Sequence, residues 1–233
     1  MRRFIEGLTV ILMLLAGLAR AASIEVTPVL QERPVGENTA VYDLVNRGDR
    51  AVTMQVRLQA WRQSDGIRLL SDTTDLQVTP PLVTLEPGQS ERVRVTLETE
   101  RSGREQAYRV QFIQVPETAE AIQPGVRTLL KLDTPLFFQA ESPKTELNWR
   151  VRHSLDGWQL VVRNAGTRFA RLTDPVLEVG SDRRIAIEQG LLYILPGSSI
   201  TWPLALTDAE AHRDLSLQFK TGGRVRFQPL EGR

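Results

Sequence analysis

The sequence predicts an all-β protein built as two β-sandwich domains, and three observations carry that prediction. After position 22 the apolar residues alternate in short runs broken by turn residues, with no long stretch at helical spacing. The same order of turns then occurs twice. A polar, proline-containing break at Glu141-Ser142-Pro143-Lys144 separates the two copies.

Taken in order, Thr39 to Val45 alternates and stops at Asn46-Arg47-Gly48-Asp49, a turn signal. Val52, Met54, Val56, Leu58 and Ala60 occupy one face of a long strand that ends at Ser64-Asp65-Gly66. Leu85-Glu86-Pro87-Gly88 is the next turn, in which proline presets its own φ and glycine is free to take φ > 0. Val93, Val95 and Leu97 alternate after it, and Tyr108 to Phe112 and Val126 to Phe138 are two further strands. In the second half Trp158 to Val162 ends at Asn164-Ala165-Gly166, and Leu195-Pro196-Gly197 precedes the alternating Ile200, Trp202, Leu204 and Leu206. Positions 46 and 164 are offset by 118, and positions 88 and 197 by 109. Offsets that close, in the same order, indicate two copies of one supersecondary plan. The expected organisation is a leader over residues 1–21, a first domain over 22–142 and a second over 143–233. Both domains have lengths suited to immunoglobulin-like sandwiches.

The leader is read from its own chemistry. Met1-Arg2-Arg3 is basic, Leu8 to Ala19 is an apolar run of 12 residues, and Ala19-Arg20-Ala21 fits a small-x-small cleavage site. That pattern is a cleavable secretory signal, too short and wrongly flanked for a membrane span. Cleavage after Ala21 moves the formal net charge from +1 to −1, since Arg2, Arg3, Arg20 and Glu6 are lost. A near-neutral exported chain gives no electrostatic case for nucleic acid, and no membrane insertion of the mature chain is expected.

Composition also removes most catalytic chemistry. With no cysteine there are no disulfides, thiolate metal sites or cysteine nucleophiles. The two histidines, His153 and His212, lie in polar turn-like stretches and suit exposed positions better than a catalytic triad. Asp65, Asp72 and Asp75 form the densest carboxylate group, but they lack the Asp-x-Asp-x-Asp-Gly spacing of a calcium loop and read as a solvated hairpin. No phosphate loop or nucleophile elbow is present, so no enzyme, cofactor or metal is expected.

What remains unusual is Gln123 to Phe138, QPGVRTLLKLDTPLFF, which follows a loop that is polar but for Ile122. Leu132, Leu136 and Phe138 read as core. Val126, Thr128, Leu130 and Leu132 share one parity, while Leu129 and Lys131 share the other. Apolar residues on both faces imply a strand covered in part by something outside its own domain.

At these residues the sequence resembles the PapD-like periplasmic pilus chaperones of the chaperone–usher pathway, with features of their non-classical, archaic branches. Pro80-Pro81 through Pro87-Gly88 to Arg94, Arg104-Glu105 through Tyr108-Arg109 to Pro116, Leu129-Leu130-Lys131-Leu132, and Leu191 through Pro196-Gly197-Ser198 carry the likeness. The resemblance implies two immunoglobulin-like domains with an interdomain cleft. It also implies capture of pilin subunits by donor-strand complementation, delivery to an outer-membrane usher, and a periplasmic location. Residue by residue, Lys131 matches an anchor for the subunit's terminal carboxylate. It stands out because only three of the 29 basic residues are lysine. Ile122, Val126, Thr128 and Leu130 match the donated strand, in which Pro124 interrupts the apolar alternation. The family's first-strand arginine aligns with Leu30, and Arg33 is the nearest basic substitute for the second anchor. Glu105 matches an interdomain acidic residue whose second-domain partner the sequence does not reveal. The alternative reading is an exported two-domain adhesion or scaffold module without chaperone activity.

Overall fold

A computed structural model of the chain describes residues 24–116, 129–187 and 191–230. The first ten strands are β1 (Ile24–Thr27), β2 (Gln31–Arg33), β3 (Thr39–Asn46), β4 (Val52–Ser64), β5 (Ile67–Asp72), β6 (Leu76–Thr79), β7 (Leu82–Leu85), β8 (Ser90–Leu97), β9 (Gln106–Val115) and β10 (Lys131–Phe138). They form two facing sheets, β1-β3-β8-β6 and β2-β10-β9-β4-β5, with β7 also paired to β4. The next strands are β11 (Leu147–Ser154), β12 (Gly157–Asn164), β13 (Ala170–Val179), β14 (Arg183–Ala186), β15 (Leu192–Ile194), β16 (Ser199–Pro203), β17 (Leu215–Thr221) and β18 (Arg224–Leu230). These make a second sandwich from β11-β12-β16 and β14-β13-β17-β18, with β15 beside β13. No strand of the first set pairs with one of the second.

Alternation in sequence becomes facing in space. Val52, Met54 and Val56 of β4 and Val93, Val95 and Leu97 of β8 are buried in one core, with Leu58 and Ala60 packed at its margin. Ile200, Trp202 and Leu204 fill the other core beside Leu160, Leu177 and Leu217. Period-two side-chain direction is what converts these runs into two cores. Asn46 and Asn164, the repeated turn residues, are both fully buried.

The two sandwiches meet over a third apolar cluster, Trp61, Phe137, Phe169 and Leu195, with Leu30, Leu70, Ala107 and Tyr193 packed around it. Phe137 and Phe169 stack with ring centroids 4.1 Å apart. Trp61 stands edge-on to Tyr193 at 5.4 Å. Phe137 points away from the first-domain core because Leu136 and Phe138 point into it, and Trp61 lies on the face opposite Ala60, which packs at that core's margin. The β4–β5 hairpin reaches across the seam. Gln63 Nε2 donates to the Tyr193 carbonyl at 2.7 Å, Gln63 Oε1 accepts from the Leu195 N–H at 2.8 Å, and the Gly66 N–H donates to the Ser199 carbonyl at 3.1 Å. A Cβ on Gly66 would stand 3.1 Å from Ile200 Cγ2, and its φ of +79° favours glycine as well. Gln63→Ala should weaken the docking of the domains by about 1–2 kcal/mol, since it removes two hydrogen bonds to backbone groups. Chemical denaturation should then resolve two transitions more widely separated than in the wild type; coincident, unshifted transitions would count against the clamp.

Candidate functional site

Strand β10 is the element to which the apolar sequence signal leads, and its two edges are unlike. Along one edge every residue from Lys131 to Phe138 is paired antiparallel with β9. Along the other, β2 pairs in parallel with Leu136, Phe137 and Phe138 only. From Lys131 to Pro135, β10 therefore has a strand on one side and an open edge on the other among the described residues. Unpaired main-chain groups on such an edge are a template for another strand.

The faces of β10 differ as well. Thr134, Leu136 and Phe138 are buried, with Leu132 half-buried on the same side, and Leu130 packs at the margin of the same core. Leu130 is fixed there by reciprocal bonds with Gln114: its carbonyl accepts from the Gln114 N–H at 2.9 Å and its N–H donates to Gln114 Oε1 at 3.2 Å. The row from Phe138 back to Leu130 thus runs from the middle of the core to its rim. Val126 and Thr128 continue that parity in sequence; with Ile122 they lie outside the described residues. Leu129, on the opposite parity, is exposed.

On that opposite side Asp133 is held by two arginines, Arg109 Nε at 2.9 Å and Arg68 Nη1 at 3.1 Å. Arg109 itself is buried, with its guanidinium 4.9 Å from the Trp61 ring. Lys131 is exposed and has no ion-pair partner among the described residues.

The structure does not bring the two expected anchors together. Arg33 lies opposite Phe138, at the far end of β10 from Lys131. Those ends are about 23 Å apart at a strand rise of roughly 3.3 Å per residue. Arg33 is also engaged with Glu37 at 3.3 Å. The β2–β10 register thus sets the backbone positions of the two expected anchors, Arg33 and Lys131, at opposite ends of β10. Leu30, where the resemblance expected an arginine, is half-buried in the interdomain cluster.

Glu105 does have a partner across the seam, and it is main chain. Its Oε1 accepts from the Phe169 N–H at 2.9 Å, and its own N–H donates to the Thr167 carbonyl at 2.9 Å. Glu105 Oε2 is buried and has no hydrogen-bond partner among the described residues. Burial, together with the nearby Glu32 carboxylate, pushes the Glu105 carboxyl up to about 7 against the pull of the Phe169 N–H and of Arg168. Arg168 in turn pairs with Glu32 at 2.5 Å. Sequence reasoning could not name this partner, because any non-proline residue supplies a backbone N–H.

The carboxylate group of the β4–β6 region disperses in space. Asp72 pairs with Arg57 at 2.8 Å, Asp75 Oδ2 accepts from the Tyr108 hydroxyl at 3.0 Å, and Asp65 occupies the hairpin tip with φ of 49°. His153 and His212 both stand edge-on to Trp158.

Residues 23–144 match the sequence pattern of the family described as pili and flagellar-assembly chaperone, PapD N-terminal domain. No curated protein matches the sequence. Among solved structures, the chain is similar to one from the CsuC–CsuE chaperone–tip adhesion subunit pre-assembly complex of the archaic chaperone–usher Csu pili of Acinetobacter baumannii. The identity is 19%, coverage is 90% of this chain and 98% of that one, and the TM-score is 0.69. It is likewise similar to one in the complex of Salmonella enterica SafA pilin with the SafB chaperone, at 20% identity, 91% and 99% coverage and a TM-score of 0.63. The E. coli chaperone DraB matches at 18% identity, 92% and 98% coverage and a TM-score of 0.64.

Proposed function

The chain belongs to the family of pili and flagellar-assembly chaperones, a chaperone family and not an enzyme family, and from that premise we propose that it is an exported, periplasmic chaperone for pilin subunits. Residues 1–21 serve as the export signal, 22–142 as the subunit-binding domain and 143–233 as the second sandwich. The chaperone lends β10 and the residues before it to a subunit that lacks a strand, then passes the subunit to an outer-membrane usher. One observation supports this above the others: the open edge of β10 from Lys131 to Pro135, beside a core-facing row that reaches the rim at Leu130.

The physics of strand addition suits that edge. Main-chain hydrogen bonds, each worth about 0.5–1.5 kcal/mol net, are indifferent to side-chain identity and so tolerate many subunits. Alternate side chains supply the discrimination, as in known chaperone–pilin complexes. Burying a Val or Leu there contributes roughly 1.5–3 kcal/mol. In this reading Ile122, Val126, Thr128 and Leu130 enter the subunit, and Lys131 holds its carboxylate without Arg33. Release needs no nucleotide, because a competing strand from the next subunit replaces the donated one.

The test is co-expression with a pilin subunit and recovery of the complex from periplasm through a tag on the chaperone. A one-to-one complex is expected, and Lys131→Ala should reduce recovery several-fold because a desolvated carboxylate loses its charged partner. Undiminished recovery with Lys131→Ala overturns the anchor; failure of the wild type to retain any pilin overturns the chaperone reading and favours an exported scaffold module.

A further inference from the structure

A groove of about 970 Å³ runs from the domain seam, at Leu30 and Glu32, into the second sandwich. It lies where that sandwich has, among the described residues, two strands with a free edge each: β11, outermost in β11-β12-β16, and β18, outermost beyond β17. The two strands touch without pairing. Trp149 of β11, Phe219 of β17 and Phe227 of β18 give the groove apolar walls. Phe227 is 63% exposed, a large apolar surface to leave in water on an edge strand.

The charge on this groove is not balanced internally. Two of its cations are engaged, Arg168 with Glu32 at 2.5 Å and Lys220 with Asp174 at 3.0 Å. Arg171 and Arg226 also line it, and neither guanidinium has an ion-pair or hydrogen-bond partner among the described residues. The buried indole N–H of Trp149 has no acceptor among the described residues either. Donors outnumber acceptors, and the backbone edges offer both kinds of group at strand spacing.

We propose that this groove is a second peptide-binding site, which takes an extended acidic segment of a partner polypeptide. The segment's main chain pairs with the free edge of β18, its carboxylates meet Arg171 and Arg226, and its apolar side chains lie on Phe227 and Trp149. A polypeptide fits better than a small anion because two unpaired strand edges recognise repeating N–H and C=O groups. Opposite charge selects the partner. A second copy pairing antiparallel through β18 would set Arg224 and Arg226 against their own counterparts, whereas an acidic strand relieves them. The site is separate from the open edge of β10, so the proposal does not depend on the chaperone reading.

Fluorescence anisotropy of the mature protein with a labelled twelve-residue peptide of alternating glutamate and valine, capped by proline at both ends, tests it. The peptide should bind, and replacing its glutamates by glutamine should weaken binding about tenfold, as should raising the salt to roughly 0.5 M. Arg171→Ser with Arg226→Ser should cause a similar loss without moving the thermal midpoint, since both side chains are exposed. Amide exchange should slow in β18 and not at the open edge of β10. Equal binding of the glutamine peptide, unchanged binding by the double variant, protection confined to β10, or no binding at all would each overturn the proposal.

Discussion

Asn164→Ala is expected to destabilise the second domain by about 3–5 kcal/mol, and Asn46→Ala to do the same to the first. Each asparagine is fully buried and acts as a hub for one turn. Asn164 Nδ2 donates to the Arg168 carbonyl at 2.8 Å and to the Ile194 carbonyl at 2.9 Å, while Oδ1 accepts from the Gly166 N–H at 3.0 Å. Asn46 repeats the pattern with the Arg50 carbonyl at 2.7 Å, the Leu85 carbonyl at 3.0 Å and the Gly48 N–H at 2.9 Å. Alanine strands three backbone groups at once, and each unsatisfied buried group costs about 1–3 kcal/mol. Aspartate is no remedy: it keeps the acceptor but sets a carboxylate oxygen against two carbonyls. Denaturation monitored separately in the two domains should show one transition moving and the other holding. A shift below about 1 kcal/mol in both variants would mean that the turns stand without their hubs.

The second large effect is a loss of domain docking as pH rises. Glu105 titrates at about 7 in the docked form, raised from its ordinary 4.5 by burial. A carboxyl whose proton is held more tightly in the docked state stabilises that state fully below about pH 4.5, and the contribution fades as pH climbs through 7. The span corresponds to about 3 kcal/mol as an upper bound. The groups that face it are the Phe169 N–H, which favours the charged form, the Glu32 carboxylate, which opposes it, and Arg168, which Glu32 partly neutralises. Small-angle scattering or an interdomain energy-transfer pair, followed from pH 5 to 8, should report a tighter arrangement at the acid end. Glu105→Gln should flatten the profile. A wild-type profile as flat as the variant's would remove Glu105 from the control of docking.

The fold was legible because alternation is a strong signal: the parity of Val52–Ala60 and Ile200–Leu206 alone fixes which faces are buried. The two Asn-x-Gly turns were legible as a repeat, though not as buried hubs, since each looks like an ordinary surface turn until the strands around it close. The seam was harder. Leu136, Phe137 and Phe138 are all apolar, so nothing in their order says that the middle one belongs to the other domain's surface. Of the site, the apolar run leads in sequence to β10, whereas nothing in the order of residues shows that a parallel register of three pairs sets Arg33 opposite Phe138, seven residues along the strand from Lys131.

Phe137 also gives β10 a double duty with a thermodynamic corollary. The same short strand presents an open edge at one end and a stacked ring in the seam at the other, joined by a few rigid peptide units. Ordering of the edge is expected to narrow the freedom of the ring, and a held ring to prepare the edge. Occupancy and interdomain stiffness are then linked variables, and the linkage must be reciprocal. A cargo that grips Lys131–Pro135 should stiffen the angle between the sandwiches, and loosening that angle should cost the cargo affinity by the same factor.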